Sequence, residues 1–238
     1  MKTAVVVPLP FDAWDTFEPF IKRLTDTFRK YPPSVDCQVW AMATKGTADA
    51  ATRALFDGIN CRFVSYYHDG RDSGSWQFAS WLMEENTFMV PMTSRTYFHR
   101  SGWLKRVVAA REHHGPGLYG LCANRETYAL HICCRCFGID SNDFREYPHL
   151  INSQEAGHAF ETGDGIPEGP AHVWMRSRGK VAKIVMWDGV YDEPDWFTPA
   201  NRFRHGDQSN VLVWDKHTDG YRDGTQEQRA QLESYQRA

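Results

Sequence analysis

The chain has 238 residues, of which 42% are hydrophobic and 14% aromatic. This composition supports a sizeable core and excludes a wholly disordered chain, and the length fits one large α/β domain or two small ones. The 27 basic and 30 acidic side chains give a net charge of −3, which excludes a general attraction to nucleic-acid phosphates or anionic lipid.

The N-terminal segment 1–8 is apolar but short. Pro8 ends it before the long apolar region and small-residue cleavage site of a signal peptide could follow. No apolar run approaches the roughly 20 residues that span a bilayer. We therefore interpret this segment as a first strand and expect a cytoplasmic protein with no membrane span.

Residues 1–115 alternate strand and helix patterns. Strands show as short apolar runs and helices as apolar residues three or four positions apart. The predicted elements are strand 4–9, helix 11–29, strand 37–44, helix 47–59 capped by Thr47, strand 61–67, helix 75–85, strand 88–92 and helix 102–114. This order predicts an α/β fold with a mostly parallel central sheet flanked by helices.

Ligands of such sheets bind beyond the carboxyl ends of the strands. Four polar segments containing Gly, Pro or Arg follow the predicted strands at corresponding positions. They are Pro8-Leu9-Pro10, Thr44-Lys45-Gly46, Asp69 to Ser75 and Thr93-Ser94-Arg95. We expect all four to build one pocket.

Residues 116–238 have a different pattern and predict an α+β elaboration that closes over the sheet rather than a separate domain. Strands are predicted at 120–123 and 131–139 and a helix at 153–160. A hairpin is predicted from 171–175 and 180–187, and helices at 208–216 and 226–237. The loop 163–169 is rich in glycine and is expected to be mobile.

Cys133-Cys134-Arg135-Cys136 is a possible metal motif, but it lies in the predicted strand 131–139. Alternate residues of a strand point to opposite faces, so three thiolates do not converge easily. No second Cys-x-x-Cys or paired histidines lie nearby in the sequence. Buried free thiols are the better interpretation, and no metal site is predicted.

The stretch Asp69-Gly70-Arg71-Asp72-Ser73-Gly74-Ser75-Trp76 joins a strand to a helix. Glycines let a backbone approach a ligand closely, while carboxylates and a guanidinium supply polar contacts. The alternative is an ordinary turn with Asp72 or Ser73 as the helix N-cap.

An apolar first strand that ends in Pro and a Gly-Arg-Asp-x-Gly-type turn after the third strand together resemble the nucleotide-sugar half of A-type-fold glycosyltransferases. The resemblance covers roughly residues 3–110, and bacterial and phage members are the comparison. It implies a nucleotide-sugar-binding half, 1–115, and an acceptor-binding half, 116–238. In that family the corresponding positions hold the nucleotide, which assigns this role to Pro8-Leu9-Pro10, Asp69, Arg71 and Asp72.

The chain departs from the family after the fourth strand. The family usually has an Asp-x-Asp-like metal motif there, whereas this chain has Thr93-Ser94-Arg95. Hydroxyls alone are poor ligands for a hard cation. We therefore hypothesise metal-independent transfer, in which Arg95, with Arg71 or Lys45, neutralises the diphosphate; a divalent metal is doubtful. The alternative for Arg95 is a surface residue at a strand end.

Inverting transfer needs a general base, which the family places in its closing half. Glu155 is the first candidate and Asp207 the second. Each has a structural alternative, because Glu155 could be a first-turn acid and Asp207 an N-cap of helix 208–216. Trp76 is a candidate for stacking on the base and Trp196 for contact with the acceptor, with core packing as the alternative.

The sequence thus predicts a hexosyl- or pentosyltransferase that uses a nucleotide-sugar, with UDP-sugar as the expected donor. The acceptor is a saccharide or a modified nucleobase in DNA. A binding protein of the same fold that holds a nucleotide or sugar without turnover is the alternative. A nucleotidyltransferase is less favoured, because that chemistry needs acidic metal ligands.

Overall fold

The computed structural model describes residues 1–125, 130–199 and 201–235. The strands are β1 (Thr3–Pro10), β2 (Gln38–Thr44), β3 (Cys61–Tyr66), β4 (Phe88–Pro91), β5 (Thr96–Tyr97), β6 (Gly117–Gly120), β7 (Ala123–Asn124), β8 (His131–Ile132), β9 (Phe137–Asp140), β10 (Val181–Val185), β11 (Val190–Tyr191) and β12 (Trp214–Asp215). The helices are α1 (Trp14–Lys30), α2 (Ala50–Ala54), α3 (Arg71–Leu82), α4 (Trp103–His114), α5 (Ser141–Arg145), α6 (Gln154–Thr162), α7 (Ala171–Ser177), α8 (Lys216–Asp223) and α9 (Gln226–Ser234). Within these residues no helix is both long and apolar enough to cross a bilayer.

Eight strands form the main sheet in the order β11-β10-β6-β9-β4-β1-β2-β3. Strand β1 is parallel to both neighbours, and β3 and β10 are parallel to β2 and β6. Strand β9 is antiparallel to β4 and β6, and β11 to β10. Six of the eight strands therefore run in one direction. This confirms the predicted α/β fold with a mostly parallel sheet, to which both halves of the chain contribute strands.

Helices cover both faces of the sheet, and the alternation of side chains along β1 assigns residues to each face. Ala4 and Val6 belong to the core cluster that includes side chains of α3, α5, α6 and α7, whereas Val5, Val7 and Leu9 belong to the cluster with α1 and α4. All five are essentially inaccessible to solvent. Fully burying a side chain of valine or leucine size contributes about 1.5–3 kcal/mol, so β1 anchors both cores.

The strands and helices predicted for residues 1–115 are present, with two changes. The helix predicted at 47–59 is shorter and is capped by Asp49, whose carboxylate accepts a hydrogen bond from the Thr52 N–H at 2.8 Å. Helix α3 begins at Arg71, four residues earlier than predicted. A Cβ at Gly74 would clash with the Ile151 carbonyl oxygen, so glycine lets α3 pack closely on that loop.

Two predictions for the second half are wrong. Residues 171–177 form a helix instead of a hairpin strand, with Ala171, Trp174 and Met175 buried at helical spacing, and β10 then pairs in parallel with β6. Residues 208–213 form a loop, in which Gln208 has a left-handed backbone with φ of 61°, and a helix begins only at Lys216.

The predicted strand 131–139 is also interrupted. It consists of β8 and β9 with a turn between them that contains Cys134 and Arg135. The Cys134 N–H donates to Glu161 Oε1 at 2.8 Å, and the Arg135 carbonyl accepts from the Thr93 N–H at 2.9 Å. These contacts hold the turn beside the end of β4.

Candidate active site

A cleft of about 750 Å³ lies where the loops after β1, β2, β3 and β4 meet the start of α6. We call it the outer cleft. Its walls include Pro10, Lys45, His68, Asp69, Arg71, Asp72, Ser73, Arg95, Ser153, Glu155, His158 and Glu161. The structure therefore brings together seven of the residues predicted from the sequence: Pro10, Lys45, Asp69, Arg71, Asp72, Arg95 and Glu155.

Asp72 lies in the first turn of α3 and is the most perturbed carboxyl group of the outer cleft. Burial raises its pKa to about 6, against the opposing effect of the Arg95 and Arg71 guanidiniums; Asp12 contributes to the rise. Since loss of water penalises the charged form, the Asp72 carboxylate sits in a site where a ligand donor or cation would stabilise it. Perturbed groups in clefts are candidate functional residues.

Lys45 and Asp69 form an ion pair at the rim of the cleft, across the ends of β2 and β3. The hydrogen bond from Lys45 lowers the pKa of Asp69. Lys45 and Arg71 both have left-handed backbones, with φ of 59° and 48°. Such φ values are uncommon for residues other than glycine, and they recur at ligand sites.

Glu155 lies in the first turn of α6 and is exposed. Ser153 caps this helix, since its Oγ accepts a hydrogen bond from the Ala156 N–H at 3.1 Å. The backbone N–H of Glu155 itself, the Ser153 hydroxyl and the charge of Arg71 all lower the Glu155 pKa. The side chain is therefore a carboxylate at neutral pH and faces the same cleft as Arg71.

A second cavity, of about 310 Å³, adjoins the outer cleft, and we call it the inner cavity. The two share Asp72, Ser73, Arg95, His158 and Glu161. The inner cavity is further lined by Trp76, Thr93, Asn124, His131, Cys133, Cys134, Arg135, Thr162, Phe203, Arg204, Asp215 and His217. A ligand of the outer cleft can therefore extend inwards past Asp72 and Arg95.

The other predicted site residues lie outside the outer cleft. Pro8 and Leu9 are buried inside β1, and Ser94 is fully buried. None of the three lines either cavity. Thr93 lines the inner cavity and its hydroxyl is 3.2 Å from that of Thr96. Of Pro8, Leu9 and Pro10, which are predicted to contact the nucleotide, only Pro10 therefore lines a cavity.

The two predicted aromatic platforms are core residues. Trp76 is 1% exposed and packs edge-to-face on Phe137 at 5.7 Å, so it forms part of the wall and does not offer a free ring face. Trp196 is fully buried, and its Nε1 donates to the Tyr191 carbonyl at 3.0 Å. The loop-like sequence around Trp196 suggested exposure, but its ring packs against His172 and cannot contact an acceptor without unfolding.

Asp207 is exposed and lines neither cavity. Its Oδ1 accepts hydrogen bonds from the Ser209 N–H at 2.9 Å and the Ser209 hydroxyl at 2.8 Å, and these lower its pKa. Asp207 therefore shapes a loop turn and does not cap a helix. The helix N-cap in this part of the chain is Asp215, whose Oδ1 accepts hydrogen bonds from the His217 and Thr218 N–H groups at the start of α8.

The residues after β4 do not fit a divalent metal. Thr93 and Arg95 offer a hydroxyl and a guanidinium where hard cations require several oxygen ligands, carboxylates above all. Within residues 1–125, 130–199 and 201–235, no three His, Cys, Asp or Glu side chains converge as a metal site. Cys133 and Cys136 are buried free thiols, in agreement with the interpretation from sequence.

Several polar residues of the inner cavity, among them Glu161, Arg135 and Arg204, are not among the site residues predicted from the sequence. Arg135 carried the one available signal, because a charged residue inside an apolar run must be paired or functional when it is buried. The sequence predicts a continuous strand at 131–139, and that prediction does not place Arg135 in a cavity.

No protein-family model matches the sequence, and no curated protein matches it. Several solved structures are similar. TarS from S. aureus is 15% identical with a TM-score of 0.44 over 61% of this chain and 29% of its own, so this chain spans less than a third of TarS. The galactosyltransferase LgtC, in complex with donor and acceptor sugar analogs, is 10% identical with a TM-score of 0.48 over 72% and 69%. A putative glucose-1-phosphate thymidylyltransferase from Bacillus anthracis has the same identity and TM-score over 76% and 85%.

Proposed function

We propose that the chain is a glycosyltransferase that moves a hexosyl or pentosyl group from a UDP-sugar to a saccharide acceptor. The observation that carries the proposal is that Pro10, Asp72 and Arg95 line one cleft, although they lie at or beyond the carboxyl ends of three different parallel strands. This is the edge of an α/β sheet at which nucleotides bind. A net charge of −3 makes DNA the less favoured acceptor.

The outer cleft supplies cations where a diphosphate needs them. Arg71 and Arg95 both lie close enough to Asp72 to oppose the rise of its pKa, so they face the same space. Guanidinium groups match phosphate oxygens bidentately and keep their charge at every working pH. In the proposed reaction these two guanidiniums replace the metal ion of metal-dependent transfer. Asp69, at the rim of the cleft, accepts hydrogen bonds from the nucleoside.

In the reaction, the acceptor hydroxyl oxygen bonds to the anomeric carbon while the bond from that carbon to the phosphate oxygen breaks. The leaving diphosphate keeps the electron pair, and Arg95 and Arg71 stabilise its charge. A carboxylate takes the hydroxyl proton, and Glu155 is the proposed base. Asp72 is the second candidate, because a base with a pKa near the working pH is the more effective.

The first experiment is a thermal-shift screen of UDP, GDP, CDP and S-adenosylmethionine. A ligand at a hundred times its Kd adds about 2.7 kcal/mol of stability, which raises the Tm of a chain of this length by roughly 5–10 °C. UDP alone is expected to produce that shift. Slow hydrolysis of bound UDP-sugar then distinguishes an enzyme from a binding protein.

The second experiment compares Arg95→Ala with Arg62→Ala. Both arginines lie over an aromatic ring, Arg95 at 5.7 Å from that of Phe17 and Arg62 at 4.4 Å from that of Trp40, but Arg62 lies beside Asn60 at the opposite end of the sheet. We expect Arg95→Ala to weaken UDP binding at least tenfold, since a charged hydrogen bond contributes about 1.5–3 kcal/mol, and Arg62→Ala to have no effect. Equal UDP affinity in both variants would reject the proposed diphosphate site.

A further inference from the structure

Arg135 is a deeply buried charge at the wall of the inner cavity. It lies in the turn between β8 and β9 and is 5% exposed. Its carbonyl accepts the Thr93 N–H, which fixes the turn against the segment that contains Arg95. The guanidinium is thus held on the far side of Arg95 from the outer cleft, at the wall of the inner cavity.

Only one nitrogen of the Arg135 guanidinium has partners in the described part of the chain. Nη1 donates to Thr218 Oγ1 at 3.2 Å and lies 3.6 Å from Asp215 Oδ1. Nε and Nη2 are buried and have no hydrogen-bond partner among the described residues. These two nitrogens form one edge of the planar group, with parallel N–H bonds that match the two oxygens of a carboxylate. Buried donors left without a partner are costly, so this edge is suited to a ligand.

The surroundings hold the guanidinium in place and leave it strongly cationic. The Phe203 ring lies 4.2 Å from Arg135 Cζ and 4.6 Å from Arg204 Cζ, which brings two buried arginines to one ring. Asp215, the nearby carboxylate, also accepts two N–H groups at the start of α8. Against the opposing effect of burial, the hydrogen bond with Cys133 and the charge of Arg135 lower the pKa of Cys122. This corner of the cavity therefore favours an anion.

The cavity also contains carboxylates, but none of those that the structure describes accepts a hydrogen bond from Nε or Nη2 of Arg135. Glu161 Oε1 accepts the Cys134 N–H at 2.8 Å and lies 3.7 Å from His131 Nε2. Asp72 lies at the mouth that the cavity shares with the outer cleft. The edge of Arg135 formed by Nε and Nη2 is thus, among the described residues, an unpartnered pair of donors in a cavity whose volume of about 310 Å³ reaches the lower end of small-molecule sites.

Resting on the proposed function, we propose that the inner cavity binds the glycosyl group of the donor and that this group carries a carboxylate, held by Nε and Nη2 of Arg135. The donor class is then a nucleotide-linked uronic acid. With the diphosphate at Arg95 and Arg71, the sugar extends past Asp72 into the inner cavity. Arg135 is a specificity-determining residue in this arrangement and takes no part in the bond changes.

The test is calorimetric titration of the wild-type chain with UDP, UDP-glucose and UDP-glucuronate. We expect UDP-glucuronate to bind at least tenfold more tightly than UDP-glucose. Arg135→Lys keeps the charge but removes the paired N–H groups, so the ratio is expected to fall to within about threefold while the affinity for UDP stays unchanged. Arg62→Lys is the matched control and should keep the wild-type ratio.

The outcomes separate the two proposals. If UDP binds and the wild-type chain shows no preference for the carboxylated sugar, the inference is wrong and the glycosyltransferase proposal stands. If Arg135→Lys weakens all three ligands equally, Arg135 holds the diphosphate and the inference is again overturned. If none of the uridine ligands binds, the proposed function fails. Should Arg135→Lys not fold, the wild-type ratio alone decides.

Discussion

Replacing Asp72 with asparagine is expected to stabilise the protein in a pH-dependent way. The Asp72 pKa is raised from its ordinary value of 3.8 to about 6 in the folded chain. Below about pH 3 the group is protonated in both the folded and unfolded states and carries no penalty. Between about pH 3.8 and 6 the unfolded chain loses this proton while the folded chain keeps it, so wild-type stability falls; above pH 6 both states are ionised and the full difference persists.

The magnitude follows from the size of this shift. Roughly two pKa units at 1.36 kcal/mol each correspond to about 3 kcal/mol at pH 8. Asp72→Asn keeps the shape and removes the charge, so its free energy of unfolding should exceed that of the wild type by up to about 3 kcal/mol at pH 8, and by almost nothing at about pH 3. Urea unfolding at both pH values and constant ionic strength measures the difference.

The control is Asp49→Asn. The Asp49 carboxylate accepts a hydrogen bond from the Thr52 N–H, which lowers its pKa, so its stabilising effect is present at neutral pH and lost in acid. Loss of that charge should not raise stability at pH 8. A gain from Asp72→Asn that is equal at pH 3 and pH 8, or absent at pH 8, would refute the reasoning about the raised pKa of this carboxyl group.

Four further predictions follow from the same structure. Gly74→Ala should lower the Tm, because its Cβ would clash with the Ile151 carbonyl, whereas Gly220→Ala, which meets no atom within 4 Å in α8, should add about 0.5–1 kcal/mol. Asp215→Ala should lower the free energy of unfolding, measured in urea, by about 3–5 kcal/mol, because it removes the α8 cap and leaves Arg135 buried without its ion pair. Asp215→Asn keeps a capping side chain and should lower it by less. UDP release from donor and acceptor should keep its rate within about twofold in excess chelator, whereas complete loss would reject metal-independent transfer. In the pH profile of kcat, the midpoint of the acid limb should lie below pH 4.5 if Glu155 is the base and near pH 6 if Asp72 is the base. Glu84→Gln, beside Lys2 at the opposite end of the sheet, is the control and should leave the profile unchanged.

The sequence was sufficient to predict strands β1 to β4 and the loops that meet in the outer cleft, because these depend on local pattern. The apolar run of β1 and the spacing of Ile21, Leu24 and Phe28 in α1 specify a strand and a helix without reference to the rest of the chain. The carboxyl ends of parallel strands must share an edge, which brings Asp72 and Arg95 together once the order of elements is known.

The inner cavity could not be predicted, because it depends on contacts between distant segments. Arg135 meets Thr218 from 83 residues away, and Phe203 completes the wall from a third segment. The left-handed backbone of Gln208 likewise depends on its amide group, which reaches the Arg204 N–H and the His205 carbonyl. Patterns of apolar residues carry no information on such pairs, and for that reason 208–216 was predicted as a helix.

The identity of the residue after β4 determines how the charges of the site can balance. Arg95 lines both cavities and lowers the pKa of Asp72 against the effect of burial. A carboxylate in its place would add a like charge beside Asp72, and both could stay ionised only with a bound cation. With arginine there, the positive charge is covalently part of the chain and does not depend on metal supply. Loss of Arg95 must therefore raise the Asp72 pKa above 6, so the variant should lose diphosphate affinity and bind a proton at the same position.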